Sequence, residues 1–413
     1  MSRSNVKKLE ELLKRSWHHD VQVLREETKL LTAPGEHYGS IMLALDVKLG
    51  RRSSADTDDL HLVAKLIPSN EMLRNTFDVQ ITFKKEIFAY TQAIPALVAF
   101  QRKRKIREEK VLDKFFPRCL AARPSIDMNG GPVDEDGVLL FENLQVKGYT
   151  TLDRLVGFDF EASKLVLKAL ARFHAVPIAA RHLQPEVFSE KVLPGLGPTK
   201  GFDEWPEAAR KAFETPIEEG VKAEELEPYA ERIRAAIDRS KRVPWARRPP
   251  PAEPWGTMSH SDLWTSNVMV LKDEAGAVVD VKIVDLQMVK YWSCCCDLVF
   301  FLFTSVVNEV LDEHFDDLVK TYYDHFIDAL SDYEIDLDRF AWNKFKDELD
   351  KAGKEELYHI LFLLKPVCVE RGKVTRNAEE FQDSDWTRQD LLGPVHRKKL
   401  IHTLLSMMRI GWI

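Results

Sequence analysis

The sequence predicts an α+β protein of two lobes, in which a β-rich lobe over residues 1–145 precedes a larger, mostly helical lobe over residues 146–413. Three strand-like stretches follow one another near the N-terminus, and one long stretch of helical periodicity comes after them. Beyond residue 146, apolar residues recur mainly at helical spacing. A length of 413 residues suggests one large or two coupled domains, and the change of pattern favours two.

The front lobe is predicted to start with an amphipathic helix, because five large apolar residues fall at helical intervals. These residues are Val6, Leu9, Leu12, Leu13 and Trp17. Strand-like stretches rich in branched residues follow at 21–31, 40–49 and 61–68. The polar run "GRRSSADTDD" at 50–59 predicts a hairpin loop between the second and third strands. Residues 78–98 carry the helical period and predict the main helix of this lobe.

Two more strands, at 117–122 and 138–144, are expected to complete the front lobe. The second lobe begins with a sustained helical period over 161–176. Further on, the sequence predicts a helix within 223–240, a proline-rich connector at 247–254 that cannot be helical, a pair of strands around 267–286, and helices to the C-terminus.

Composition and charge argue against several classes of protein. Hydrophobic residues make up 45% and charged residues 30% of the chain, as in ordinary soluble globular proteins. A net charge of -7 argues against binding through phosphate neutralisation, so we expect no nucleic-acid partner. The most apolar stretch, 298–307, is far shorter than a membrane span, and the charged N-terminus lacks the apolar core of a secretory signal. We therefore expect a cytoplasmic monomer with no membrane partner.

Five cysteines include three adjacent ones, Cys294, Cys295 and Cys296. Neighbouring thiols are not spaced like zinc ligands, and the sequence contains no C-x-x-C pair. We expect these residues to be small buried side chains in a protein of a reducing compartment.

The stretch "SHSDLWTSNVMVL", residues 259–271, contains a His, an Asp two residues later and an Asn five residues after that Asp. Asp262 is followed five residues later by Asn267, which is the spacing of the catalytic loop of protein kinases. In such a loop the Asp accepts the proton of the attacking hydroxyl, and the Asn oxygen binds Mg²⁺. His260 is expected to brace the loop through hydrogen bonds. Short polar spacings recur by chance, so this motif needs support from other residues.

A second carboxylate follows in "VVDVKIVDLQ", residues 278–287. Strand alternation would put Val279, Val281 and Ile283 on one face with Asp285. A buried carboxylate needs a cation or strong donors, so we expect Asp285 to be the second metal ligand, beside Asn267. A salt-bridged or capping Asp is the alternative interpretation of this residue alone.

A nucleotide site of this type also needs a lysine and a glutamate in the front lobe. In "HLVAKLIP", Lys65 would share an apolar strand face with Val63 and Ile67. Glu86 lies centrally in the following helix and is expected to orient Lys65, which would hold phosphate oxygens of ATP. Lys84 and Lys85 beside it are expected to face solvent. A surface ion pair is the alternative for Lys65 and Glu86.

Two further segments are predicted to contact the nucleotide. "APGEHYGS", residues 33–40, contains Gly35, Gly39 and Ser40 between the first two strands, and glycine allows backbone close to phosphates. An ordinary turn is the alternative there. In "LLFENLQVKGY", residues 139–149, Glu142 and Leu144 are expected to face the adenine through their main chains.

Taken together, these residues resemble the ecdysteroid-kinase-like family, which belongs to the wider aminoglycoside-phosphotransferase and choline-kinase group. The resemblance covers most of the chain and rests on "FENL", "ALARFHAV", "HSDLWTSNVM", "VKIVDLQ" and "CDLVFFLFTS". It implies a two-lobed protein-kinase-like fold and the phosphorylation of a small-molecule hydroxyl with ATP and Mg²⁺. By this resemblance the base is Asp262, the metal ligands are Asn267 and Asp285, and Asp297 braces the catalytic loop. Ser261 stands where the family usually has Gly or Asn.

The substrate is expected to be a small hydrophobic alcohol, such as an ecdysteroid or a xenobiotic. Only residues 286–296 lie between the second carboxylate and Asp297, with no D-F-G and no A-P-E, so the chain lacks the activation segment of a protein kinase. Aromatic residues of the second lobe could line an apolar pocket. The candidates are Phe202, Trp205, Phe213, Trp245, Phe301, Phe303 and Tyr358.

Two alternatives stay open at this point. The first is a kinase of the choline or aminoglycoside type, whose site would be expected to show more acidic or cation–π features. The second is a pseudokinase that only binds a ligand. It is disfavoured because Lys65, Asp262, Asn267 and Asp285 are all present. His174 is expected to be a structural histidine at the end of a helix.

Overall fold

The structure is a computed structural model, and it shows the two lobes that the sequence predicts. The residues that it describes are 5–16, 19–31, 39–51, 54–127, 131–242, 249–370, 372–374, 376, 379–386, 388 and 390–413. The first lobe is built on an antiparallel sheet, and the second is mostly helical, which confirms the α+β class. The lobe boundary after residue 145 stays a prediction.

The sheet of the first lobe has five strands in the order β1-β2-β3-β5-β4, and all neighbours are antiparallel. Its strands are β1 Val21–Leu30, β2 Ile41–Arg51, β3 Ser54–Leu66, β4 Cys119–Arg123 and β5 Val138–Glu142. One face packs with helix α1 (Leu9–Ser16) in a small apolar cluster that includes Leu12, Leu13 and Leu45. The predicted amphipathic helix is thereby confirmed within the described residues, which do not include Trp17.

The predicted hairpin loop over 50–59 is wrong in length. β3 begins at Ser54, and its first residues pair with the end of β2, with Asp59 opposite Lys48 and Thr57 opposite Gly50. Polar residues can extend a two-stranded ribbon beyond its core, because exposed strand ends need backbone pairing but no buried side chains. The polarity of this run therefore reflects solvent exposure and not a change of backbone.

The other face of the sheet meets a continuous run of helical backbone from 79 to 103. The run consists of α3 Val79–Phe88, a π-helical segment Ala89–Ala93 and α4 Ile94–Lys103, after the short helix α2 Glu71–Thr76. Pro95 has no N–H for the carbonyl one turn earlier, so a wider local turn at this point is physically reasonable. This run confirms the main helix of the lobe.

The second lobe is organised around α5 Phe160–Leu183 and α9 Cys294–Ser305, both largely buried. The other helices are α6 Pro185–Lys191, α7 Glu207–Gly220, α8 Ala230–Lys241, α10 Asn308–Ser331, α11 Trp342–Val367, α12 Asp383–Trp386 and α13 Pro394–Ile410. The three adjacent cysteines are buried in the first turn of α9, as expected, and all five cysteines are free thiols. His174 lies inside α5 and not at its end, because α5 continues seven residues beyond the predicted stretch.

Two small sheets bring the chemically important segments together. One has the order β6-β8-β9, with β6 Thr150–Thr151, β8 Val268–Lys272 and β9 Val278–Ile283. The other pairs β7 Gly256–Ser259 with β10 Lys290–Ser293. The alternation expected for β9 fails at both ends. Val279 is half exposed, and the strand ends before Asp285, which has a left-handed backbone with φ 66°.

Among the described residues, no helix combines the length and the apolar character needed to cross a membrane.

Candidate active site

The candidate catalytic loop follows β7 directly, and one buried carboxylate holds its start. Asp297, in the first turn of α9, accepts hydrogen bonds from the His260 N–H (2.5 Å) and the Ser261 N–H (2.8 Å). It also accepts one from the Ser259 hydroxyl at 2.8 Å. Ser261 has φ 63°, a left-handed conformation that Gly and Asn adopt more easily than Ser. The left-handed backbone at Ser261 therefore explains why the family that this sequence resembles usually has Gly or Asn at this position.

A buried histidine supports this carboxylate from behind. His174 Nε2 lies 3.0 Å from Asp297 Oδ2, and its Nδ1 lies 2.7 Å from the Tyr322 hydroxyl. Burial by itself would raise the pKa of Asp297, but the hydrogen bond and charge of His174, with the other donors, outweigh burial and lower it. Asp297 is thus held as an anion at the base of the loop, and His174 has the structural contacts expected of it.

Asp262 and Asn267 lie side by side where the loop lines a cavity. The Asn267 side-chain amide donates to the Asp262 main-chain carbonyl (2.7 Å) and to its carboxylate (3.1 Å). This orientation leaves the amide oxygen of Asn267 directed elsewhere, available as a ligand. Burial, and next the charge of Asp285, raise the pKa of Asp262 well above its usual value. A carboxylate with a raised pKa is a better proton acceptor than an ordinary aspartate.

His260 lies behind the loop and does not line either of the two cavities described below. Its Nε2 donates to the Val284 carbonyl at 2.9 Å, and its Nδ1 accepts from the Asp262 N–H at 3.3 Å. These partners define a neutral imidazole, and burial lowers its pKa accordingly. His260 thus connects the loop to the segment before Asp285, which is the bracing geometry expected from the sequence.

Lys65 bridges the two lobes at the centre of the site. Its ammonium lies 2.5 Å from Glu86 on α3 and 2.8 Å from Asp285. Burial would lower the pKa of Lys65, but the two carboxylates outweigh it and raise the pKa, so the residue is charged. The Leu286 N–H donates to the Glu86 carboxylate as well. Lys65 packs beside Val63 and Ile67 as predicted, and its burial rules out the surface ion pair considered as the alternative.

The Lys65 side chain opens into a cavity between the lobes, which we call the cleft. Apolar side chains from both lobes face each other across it. Those lining it from the first lobe are Leu31, Met42, Val63 and Phe141, and those from the second lobe are Met269 and Val284. Glu142 and Leu144 also line the cleft, and their predicted contact with adenine stays a prediction.

A second cavity, which we call the aromatic cavity, contains Asp262 and Asn267 in its lining. Its aromatic residues come from both lobes and are Phe77, Trp205, Phe213, Trp264 and Phe381. The rings of Phe77 and Trp205 meet edge to face at 5.7 Å, and those of Trp205 and Phe213 do so at 5.5 Å. Ser266 and Asp285 line both cavities, so the cleft and the aromatic cavity meet at these two residues.

The segment that contains Gly39 and Ser40 does not line the cleft. Both residues line the aromatic cavity, and Gly39 lies close to the Gln287 side chain. Gly35, the other predicted loop residue, lies outside the described residues. The predicted nucleotide contact of this segment stays a prediction.

Many residues that line the two cavities are not predicted by the sequence patterns. Trp205 and Phe213 were among the expected pocket aromatics, but Phe301 and Phe303 are fully buried on α9 and belong to the core. Phe77 and Phe381 were missed, because they reach the cavity from segments distant in sequence. Met269 could have been found, since it follows Asn267 by two residues and lies at the start of β8.

Lys85 is a clear correction. The sequence predicts that Lys84 and Lys85 both face solvent. Lys84 is exposed, as predicted. Lys85 is instead buried and donates to the Gly197 carbonyl at 2.7 Å. The helical period places Lys85 one residue from the inward-facing Glu86, on a flank of α3 that the second lobe covers.

The donors present fit a Mg²⁺ ion that is shared with phosphates. Across the described residues, no group of three or more His, Cys, Asp or Glu is arranged to hold a metal. Mg²⁺ in nucleotide sites usually has one or two protein carboxylates, with phosphates and waters as the other ligands. Asp285 and the Asn267 oxygen, lining the same cavity as Asp262, match this donor set.

Comparison with known proteins gives a family and several distant structural likenesses. The sequence model of the ecdysteroid kinase-like family matches residues 34–335, which is more than half of the chain. No curated protein sequence matches.

Three solved structures illustrate the distant likenesses. An ethanolamine kinase from Plasmodium vivax has 13% identity and a TM-score of 0.37, covering 94% of this chain and 84% of its own. A choline kinase from Cryptosporidium parvum has 9% identity and a TM-score of 0.44, covering 99% and 98%. A choline kinase from Streptococcus pneumoniae has 13% identity and a TM-score of 0.35, covering 96% and 99%. With TM-scores this low, nothing about substrate follows from them.

Proposed function

The chain belongs to the ecdysteroid kinase-like family and is a small-molecule kinase; from this premise we propose that it transfers the γ-phosphoryl group of ATP to the hydroxyl of a hydrophobic alcohol, such as an ecdysteroid or a xenobiotic. One observation carries the proposal. Asp262 lines an apolar aromatic cavity that meets the Lys65 cleft at Ser266 and Asp285. A hydroxyl bound beside Asp262 would thus lie next to a phosphate bound in the cleft.

The cleft suits an adenine nucleotide. Apolar side chains on both sides can sandwich a flat base. The Glu142 N–H already donates to the Arg118 carbonyl, and the Leu144 carbonyl accepts from the Tyr149 N–H at 3.2 Å. The main-chain groups that these residues could offer are therefore the Glu142 carbonyl and the Leu144 N–H. An acceptor and a donor two residues apart match the amino group and ring nitrogen of adenine.

Lys65 and Asp285 would act on the phosphates. Lys65 supplies a fixed positive charge for phosphate oxygens, and Glu86 keeps that charge in place. Asn267 and Asp285 would hold Mg²⁺, which supplies charge neutralisation on the phosphates when bound. If Asp285 held the metal, the hydrogen bond that it now accepts from Lys65 would be free for a phosphate oxygen.

Asp262 would act as the general base. The acceptor oxygen forms a bond to the γ-phosphorus, the bond from that phosphorus to the bridging oxygen of ADP breaks, and the hydroxyl proton passes to Asp262. Asn267 orients the carboxylate through its hydrogen bond, and His260 fixes the backbone of the loop.

The aromatic cavity favours a hydrophobic acceptor over choline or ethanolamine. A cationic acceptor would need acidic or aromatic groups that are free to face it. Apart from Asp262 and Asp285, the acidic residue in the described lining is Asp385, and Arg376 contacts both of its oxygens at 3.0 and 3.1 Å. The same lining contains Lys365 and also Arg388, which pairs with Asp390. These charged groups do not favour a positively charged acceptor, whereas the aromatic rings of the cavity suit either kind of acceptor.

A screen of acceptors tests this proposal. The protein is incubated with Mg-ATP and single alcohols, namely hydroxylated steroids, plant phenolics, choline and ethanolamine, and a mass increase of one phosphate is sought. We expect a steroid or phenolic to be phosphorylated and choline and ethanolamine not to be. Phosphorylation of choline alone would contradict the hydrophobic acceptor, and binding of ATP with no phosphorylation of any alcohol by the parent would favour a pseudokinase.

The Asp262→Asn variant tests the base in the same assay. The amide keeps the shape and the hydrogen bonds to Asn267 but cannot accept the proton, so turnover should fall by roughly 10²–10⁴-fold. Binding of Mg-ATP and the melting temperature should stay close to those of the parent. A variant that phosphorylates the alcohol at the parent rate would show that another group is the base.

The Asp285→Ala variant tests the metal ligand. Removal of this carboxylate should weaken nucleotide binding in Mg²⁺ by about tenfold or more, while binding in EDTA should change little or improve. Isothermal titration with ATP, with and without Mg²⁺, measures both. An unchanged dependence on Mg²⁺ would refute the ligand role of Asp285.

A further inference from the structure

A short turn of the second lobe, residues 193–197, lies between the helix that carries Glu86 and the strand beside the catalytic loop; we call it the bracket. We propose that the bracket fixes the position of α3 and thereby the Lys65–Glu86 pair, so that Lys85 and Gly195 are positioning residues for phosphoryl transfer. This inference rests on the proposed role of Lys65 in binding ATP.

The first contact is polar. Lys85, the residue before Glu86, donates from its ammonium to the Gly197 carbonyl at 2.7 Å. The residue is only 5% exposed, and burial lowers the pKa of its amine to about 7. A buried amine without a hydrogen-bond partner is unfavourable in either protonation state, and the Gly197 carbonyl is that partner. A side chain that serves only solubility would not be buried in this way.

The second contact is steric. A Cβ added to Gly195 would lie 2.2 Å from Phe88 Cδ1, on the turn of α3 that follows Glu86. A distance below 3.0 Å is one that real Cβ atoms do not show, so Gly195 allows the turn and the helix to approach more closely than any other residue would. Gly197, two residues later, has nothing within 4 Å of an added Cβ.

A third contact lies at the other end of the helix. The Lys200 N–H donates to Asp78 at 3.4 Å, and the Lys200 ammonium donates to the Asn75 carbonyl at 3.2 Å. The bracket and the residues after it therefore follow α3 from its beginning to its last turn.

The bracket is also tied to the catalytic loop. The Leu196 carbonyl accepts the Tyr291 N–H at 3.3 Å, and Tyr291 on β10 lies opposite Met258 on β7. β7 ends at Ser259, the residue before His260. One short segment thus connects the helix of Glu86 to the strand that leads to Asp262.

This arrangement has a consequence for the charge at the centre of the site. Lys65 contacts both Glu86 and Asp285, so the position of Glu86 decides how the Lys65 hydrogen bonds are divided between the two carboxylates. If α3 moves outward, Lys65 loses Glu86 and pairs with Asp285 alone. Asp285 is then neutralised by the lysine and competes poorly for Mg²⁺, and phosphate oxygens lose the ammonium.

Two pairs of matched variants test the inference. Lys85→Met keeps the aliphatic stem and removes the donor, and Lys84→Met makes the same change at the exposed neighbour. Gly195→Ala inserts a methyl group against Phe88, and Gly197→Ala inserts one into open space. Binding of Mg-ATP is measured by isothermal titration, and melting temperatures are measured without nucleotide. Steady-state kinetics are measured with an alcohol found in the screen.

We expect Lys85→Met and Gly195→Ala to weaken Mg-ATP binding by about tenfold, with a higher KM for ATP and a KM for the alcohol within about twofold of the parent. Lys84→Met and Gly197→Ala should behave as the parent. A purely structural role would lower the melting temperature without separating the two KM values. If Gly195→Ala does not fold, Lys85→Met decides the question alone.

Lys65→Met in the same titration separates this inference from the proposed function. If Lys65→Met binds Mg-ATP as tightly as the parent, the proposed function is wrong. If Lys65→Met loses binding while Lys85→Met matches Lys84→Met, the proposed function stands and the bracket does not position α3.

Discussion

At the scale of single residues, burial sets the charge of ionisable side chains outside the catalytic loop as well. His396, at the start of α13, is buried, and desolvation, with the nearby charge of Lys365, lowers its pKa to about 4. Lys365 is buried too, and desolvation lowers its pKa to about 8. In the folded protein such a group is either neutral or charged at a cost in the free energy of unfolding. These groups therefore link the stability of the protein to pH.

His396 leads to a prediction about acid stability. Its pKa is about 4 in the folded chain and 6.5 in the unfolded chain, so between these values the unfolded state binds more protons. The stability that neutral His396 contributes is complete above pH 6.5 and is lost as the pH falls towards 4. The loss amounts to roughly 3 kcal/mol at most.

Urea unfolding of the parent and of His396→Gln, at pH 7 and pH 4.5, measures this effect. Glutamine does not titrate, so the variant should lose less stability between the two pH values than the parent does. Equal losses would mean that His396 is protonated in the folded protein without penalty.

At the scale of elements, the observed bounds of strands and helices agree with the predicted bounds where burial of side chains decides them. They differ where pairing of the backbone decides them. The continuous helical backbone over 79–103 agrees with the predicted period, although α2 before it was missed. α2 has only six residues, too few to show a period, and is capped by Asn70, whose side chain accepts from the Leu73 N–H at 3.2 Å. The extended β3 shows the opposite case, since its first residues are polar and yet paired.

At the scale of the whole molecule, a segment near the C-terminus connects the two lobes beside the aromatic cavity. We call the described residues within 369–391 the strap. The Asn70 side-chain amide donates to the Phe381 carbonyl at 2.8 Å, and the Ser69 N–H donates to Glu379 at 2.9 Å. Phe381 and Leu391 of the strap line the aromatic cavity, and the strap lies beyond residue 335, where the family match ends. The wall of the proposed acceptor site is therefore built partly outside the matched region.

The strap leads to a prediction about acceptor affinity. Asn70→Asp keeps the oxygen that caps α2 but replaces the donor to Phe381 with a second oxygen, which repels the carbonyl. We expect the KM for the alcohol to rise by about three- to tenfold, with little change in the KM for ATP.

Steady-state kinetics of the parent and the variant, with melting temperatures as the control for α2, provide the check. A higher KM for ATP with an unchanged KM for the alcohol would show that the strap does not shape the acceptor site.

The sequence by itself predicted the two-lobed α+β fold, the main helix of the first lobe and two of the side-chain pairs at the candidate site. Asp262 and Asn267 lie five residues apart in one loop, and the loop brings their side chains into contact. Lys65 and Glu86 could be predicted as a pair, because an isolated charge on an apolar strand face needs a partner nearby.

Only the tertiary structure decided what surrounds these residues. Lys85 has the same local pattern as exposed Lys84, and its burial depends on Gly197, more than a hundred residues away. Phe77 and Phe381 meet the same cavity from two lobes, and Asp285 takes a left-handed backbone that strand alternation does not predict. Local patterns record which side chains avoid water, but contacts between distant segments depend on how whole elements pack, which no short stretch encodes.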